Sequence, residues 1–109
     1  MGFFVFPQSW ITPAIMAAAI AFGPIPTDNV HVKYRNLPGQ GAGAAAFPGT
    51  ILIDKRSQAE WPKEKAQCVL VHEYAHLAGR KHSKKRNSIM HPILRYGPCH
   101  RWLVRHGVD

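Results

Sequence analysis

Acidic side chains are scarce in this chain: six Asp and Glu stand against fourteen Lys and Arg, giving a formal net charge of +8. Such a balance attracts anionic partners, whether nucleic acid, an acidic peptide or an envelope polymer. Arg80, Lys81, Lys84, Lys85 and Arg86 concentrate it in one stretch. No aromatic residues interleave with them and no nucleic-acid motif accompanies them, so a solvated loop on a basic protein is the simpler reading. Cysteine is nearly missing. Cys68 and Cys99 alone do not decide the redox compartment. A buried free thiol is the expected role of Cys68, with a Cys68–Cys99 disulfide as the alternative. Long apolar runs are missing too: residues 13–22 are too few to span a membrane. No Lys or Arg follows Met1, and Pro7 and Pro13 break the apolar stretch, so a signal peptide is not expected. A cytoplasmic location or a place in a viral or microbial assembly is therefore slightly favoured over secretion, and the compartment stays open. There is no internal repeat, no interdomain linker and no serine or cysteine nucleophile motif.

What is present fits one small domain. The 109 residues are 46% hydrophobic, ordinary for a globular chain and near the lower size limit for a self-sufficient core. Residues 2–6 read as a short strand stopped by Pro7. Thr12 and Pro13 read as the cap and first residue of a helix reaching Phe22. That helix has no polar side, which predicts burial all round; an apolar surface on so small a domain also suggests self-association or a partner. Residues 23–26 form a turn, and residues 30–34 alternate as a half-buried strand does, with His31 facing solvent. Residues 36–43 are a glycine-rich loop, too irregular for a phosphate-binding fingerprint. Residues 44–47 and 50–54 are two further strands. A helix then begins either at a capping box over Ser57 to Glu60 or at Trp61-Pro62 and runs to about Ala78, anchored by Val69, Leu70 and Leu77. Cys99, Trp102, Leu103 and His106 keep helical spacing behind Pro98, and His91, His100 and His106 read as surface or packing residues.

The chemistry lies in residues 72–83, HEYAHLAGRKHS. At about 100° per residue, His72 and His76 stand roughly 40° apart on one helix face, so both imidazoles reach one ion. Glu73 lies beside them, placed to hydrogen-bond a water on the metal rather than to bind it. On a continuous helix His82 would point roughly 80° away from His72 and sit about 15 Å further along. The helix must therefore end, and Gly79 is placed to end it, because glycine takes the left-handed conformation without steric cost. Three nitrogens leave a fourth zinc position open, as catalytic sites do.

This H-E-x-x-H-x-x-G-x-x-H pattern followed by Ser83 resembles the metzincin zinc peptidases, and the serine points to their matrixin branch. Residues 88–92, with Met90 eight residues after His82, are similar to the family's Met-turn, whose methionine floors the zinc site. Residues 43–49, 51–54 and Trp61 are similar to its edge strand, next strand and pre-helix tryptophan. The resemblance implies an α+β, metzincin-like fold: a small twisted, mostly parallel sheet with an antiparallel edge strand, an apolar first helix, the zinc-binding helix and a short C-terminal helix. It implies a minimal domain over residues 1–109, with zinc on His72, His76 and His82 and Glu73 as general base. Substrate would lie along Ala44, Ala45 and Ala46, and the pocket after the scissile bond would involve His91, Pro92 and Tyr96. Ala45, Leu52 and Ile53, then Lys55, Arg56 and Ser57, stand where matrixins carry accessory ligands, so one catalytic zinc is expected and no structural zinc or calcium. Nor is a cysteine-bearing propeptide visible upstream. The expected activity is zinc-dependent endopeptidase action on a peptide or protein. The alternative is a catalytically silent, zinc-stabilised binding or structural module associated with an anionic partner.

Overall fold

A computed structural model describes residues 5–25, 29–37 and 43–108. Its elements run α1 (Gln8–Phe22), β1 (His31–Arg35), β2 (Ala44–Phe47), β3 (Thr50–Asp54), α2 (Lys55–Gln58), α3 (Lys63–Leu77) and α4 (Tyr96–Arg105). The class is α+β as expected. The sheet, however, is mixed rather than mostly parallel. Its order is β1-β3-β2, with β1 parallel and β2 antiparallel to β3. β2 is thus the antiparallel edge strand, in the register Ala44↔Ile53, Ala45↔Leu52, Ala46↔Ile51.

Helix α3 is the centre of the molecule, packing on α1, β2, β3 and α4. Residues 66–75 are all buried, so it carries partners around most of its circumference. Leu70, Val71 and Ala75 meet Ile51, Ile53, Ala14 and Ala18 in one core. The buried polar groups find acceptors: Gln67 Nε2 donates to the Trp10 carbonyl at 3.1 Å and Tyr74 Oη to the Gly23 carbonyl at 2.9 Å.

Several local expectations need correction. Residues 2–4 lie outside the described residues, and Val5 and Phe6 are irregular rather than strand. Phe6 is buried by aromatic contacts with Trp10, Tyr34 and Trp61, and its N–H donates to Tyr34 Oη at 2.9 Å. Helix α1 starts before Pro13, because the Pro7 carbonyl accepts from Trp10 and Ile11 and opens the first turn there. Pro13 is accommodated because its missing N–H would have met only Ser9, an exposed residue near the helix start. Nor is α1 buried all round. Ala14, Ala17 and Ala18 face the core while Met16 and Ile20 are 60% and 83% exposed. Strand β1 begins one residue later than expected. Ser57 caps nothing, since it sits inside α2, where Asp54 is the cap and accepts from the Ser57 N–H at 3.1 Å. Helix α3 follows the Trp61-Pro62 start, and α4 begins two residues before Pro98.

The cysteines also depart from expectation. Cys68 and Cys99 form a disulfide, with Cα atoms 5.9 Å apart, rather than buried free thiols. Packing α4 on α3 brings the two positions together, a tertiary contact that helical spacing alone cannot reveal.

Candidate metal centre

The end of α3 builds the site. Gly79 has φ 91°, its N–H donates to the His76 carbonyl at 3.0 Å, and the Arg80 N–H donates to the Ala75 carbonyl at 2.8 Å. This paired closure is a Schellman motif, and it turns the chain back past its own helix. His82 consequently returns to the face that carries His72 and His76.

The three imidazoles converge. His72 Nε2 lies 3.3 Å from His82 Nε2 and 3.2 Å from His76 Nε2, and one ligand atom from each ring lies within 4.8 Å of the others. Nitrogens at about 2.0–2.1 Å from a tetrahedral zinc stand about 3.3 Å apart, so the donor set fits that ion. The opposite ring nitrogens are held by backbone. His72 Nδ1 lies 2.8 Å from the Ile89 carbonyl, and His76 Nδ1 lies 2.8 Å from the Arg80 carbonyl. A carbonyl only accepts, so each Nδ1 carries the proton and each Nε2 presents a lone pair to the centre. Burial pushes the His72 imidazole below its ordinary pKa, with His76 and His82 lowering it further against the opposing pull of the Ile89 carbonyl. Burial, then the neighbouring His76 and His91, lower His82 as well. Neutral imidazoles are the form a metal needs.

Arg80 also anchors this turn through its side chain. Its guanidinium lies 5.7 Å from the centre of the Phe22 ring, which stacks on Trp102, which stacks on His106. The carbonyl that orients His76 is therefore tied to α1 and α4.

Glu73 is 8% exposed, and burial raises its carboxyl pKa against the opposing pull of His76. It lines a cleft of about 750 Å³ shared with His82, Ala44, Trp61, Lys65 and Pro92. The structure thus brings His72, His76 and His82 together and puts Glu73, Ala44 and Pro92 at the cleft. Ala45 and Ala46 lie further along β2, outside the cleft lining. Met90 is buried. Its carbonyl accepts from the Ser83 N–H at 2.9 Å and its N–H donates to Ser88 Oγ at 3.0 Å. His91 is half-buried and its Nδ1 accepts from the Ile93 N–H. Tyr96 is 72% exposed, stacks on His100 and lies outside the cleft lining.

Sequence reading missed the two orienting carbonyls, of Ile89 and Arg80, because backbone acceptors leave no side-chain pattern. It also missed Trp61 and Lys65 as cleft residues. A signal for Trp61 existed in Gly43: a Cβ there would come 2.7 Å from the Trp61 ring, so the chain must pass flush against it.

The family model described as Matrixin matches residues 19–105, a span that includes the three strands, the histidine cluster, Gly79, Met90 and α4. No curated protein and no solved structure gives a significant match. With most of its length matched and three imidazoles converging behind a glycine turn, this chain belongs to the matrixin family.

Proposed function

We propose that the chain is a single-domain, zinc-dependent endopeptidase. The observation that carries this is the convergence of three imidazole Nε2 atoms beside a buried carboxyl group at an open cleft. His72, His76 and His82 hold one zinc ion. Such an ion would supply acidification of a nearby water and polarisation of the substrate carbonyl. The Glu73 carboxylate takes the proton from the attacking water and passes it to the leaving nitrogen. The backbone of Ala44, Ala45 and Ala46 on the β2 edge binds an extended substrate. Pro92, with His91 beside it, borders the pocket for the residue after the scissile bond, and Met90 is the apolar floor of the metal site; Tyr96, stacked on His100 outside the cleft, takes no part.

No second ion is proposed. Positions 45, 52 and 53 are apolar, and the Asp54 carboxylate is engaged by the Leu37 N–H at 3.0 Å and by Ser57. The Cys68–Cys99 bridge suits an oxidising compartment better than a reducing cytosol, which shifts the proposed location away from the cytoplasm. The exposed Met16 and Ile20 support association of α1 with a partner or a second copy. A silent zinc module is the weaker reading, since a purely structural site has no use for Glu73 beside an open cleft.

The test pairs zinc content with cleavage of a broad peptide library. Glu73→Gln should retain zinc while losing about 10²–10⁴-fold in kcat/KM. A wild-type protein that binds zinc stoichiometrically and cleaves nothing would sink the proposal.

A further inference from the structure

The charges of this protein are segregated. Thirteen of its fourteen Lys and Arg are exposed, Lys55 being half-buried. Of the acidic residues described, Asp54 and Glu73 are buried, and Glu64 pairs with His100 at 2.9 Å. That leaves Glu60 as the one exposed carboxylate among the described residues. Five of the cations also flank one candidate ligand. Arg80, Lys81, Lys84, Lys85 and Arg86 share the loop that delivers His82, and none of them meets a carboxylate among the described residues. Lys81 adjoins His82 and Lys84 lies two residues on, at most ~7 Å of chain. Lys65 stands in the cleft wall, its ammonium 5.2 Å from the centre of the Trp61 ring, and Arg95 follows the cleft residue Leu94.

We infer that the cleft selects acidic peptide segments, with Asp or Glu flanking the scissile bond. The inference deepens the peptidase reading and rests on it. A surface whose exposed charges are nearly all of one sign, some of them beside a groove, raises the encounter rate of oppositely charged chains. Within the cleft lining Glu60 opposes Lys65 one for one, so the bias comes from Lys81, Lys84, Lys85 and Arg86, the exposed cations of the loop that carries His82, Arg80 being turned onto Phe22. The preference enters through association and KM, because of these cations only Lys65 lines the cleft and the rest act from exposed positions beside His82 or further off.

The experiment takes one cleaved peptide and prepares it with Glu, Gln or Lys at the flanking positions. With the zinc-loaded protein, kcat/KM should rank Glu above Gln above Lys, by roughly tenfold per step at about 20 mM salt, and the ranking should collapse near about 500 mM. Lys84→Glu with Lys85→Glu should narrow the Glu-over-Gln ratio. The salt series on the wild type stands without any variant. Equal cleavage of the three peptides at low salt overturns this inference and leaves the peptidase reading intact, whereas failure to cleave any peptide overturns both. Charge-blind cleavage with submicromolar, salt-dependent binding of a single-stranded 20-mer oligonucleotide assigns the loop to nucleic acid and also overturns it.

Discussion

Gly79 decides whether three histidines become one site. At φ 91° an L side chain strains against its own backbone by roughly 1–2 kcal/mol. Open space surrounds the position, so only the backbone torsion resists substitution. Gly79→Ala should therefore lower stability by that amount. It should also weaken zinc binding by up to about tenfold, as the turn relaxes and His82 moves off the other two rings. Competition with a chromophoric chelator reads the affinity and thermal unfolding reads the stability. Unchanged values in both would mean that the turn does not position His82. Residue-scale chemistry of this kind was legible in the sequence, because ligand types and a glycine at the required spacing are side-chain facts.

At the scale of elements, the junction between β3 and α2 depends on Asp54. Its carboxylate accepts from the Leu37 N–H and from both the N–H and hydroxyl of Ser57, so it joins the loop after β1, the end of β3 and the start of α2. The Leu37 N–H and the Ser57 hydroxyl, foremost among these bonds, hold its pKa below the ordinary carboxyl value, against the cost of burial. A depressed folded pKa stabilises the protein above the unfolded-chain value near about 3.9, and that contribution is lost as pH falls through the folded value. Unfolding followed from pH 7 to about pH 2.5 should show this acid-labile component in the wild type and a flatter profile in Asp54→Asn. Parallel profiles would show that Asp54 carries none of it.

The other elements differ in how far sequence could predict them. The strands at 44–47 and 50–54 came out at the expected bounds because Gly43 and Pro48-Gly49 punctuate these apolar runs locally. Helix α3 was visible as a helix, but not as one buried over ten consecutive residues. Its polar residues look solvated on paper. Only the packing of α1, the sheet and α4 around it gives them internal partners. The outer edge of β1 shows the opposite economy: His31, Lys33 and Arg35 face solvent there, and like charges discourage pairing with a second copy.

For the whole molecule, the Cys68–Cys99 disulfide matters most. The loop it closes carries His72, Glu73, His76, His82 and Met90, so the candidate metal ligands and the neighbouring carboxylate lie inside one covalent ring. Chain-entropy reasoning for a closed loop of this length gives about 3–4 kcal/mol of stabilisation. Reduction, or Cys99→Ser, should cost about that much in the metal-free protein by denaturant unfolding. The loss should be smaller with zinc bound, since the metal closes an overlapping loop. An equal loss with and without zinc would show that the two constraints act independently. For a chain near the lower size limit for a stable core, such staples supplement limited apolar burial.

The sequence by itself determined the donor set, the glycine that reverses the chain, the order of the main elements and the excess of positive charge. These follow from residue identity and short-range spacing. Tertiary structure alone decided that Cys68 reaches Cys99, that the Ile89 and Arg80 carbonyls hold two histidines with Nε2 facing inward, and that α1 leaves Met16 and Ile20 exposed. Each of these depends on segments distant in sequence or on backbone atoms, and neither leaves a periodic trace in side-chain order.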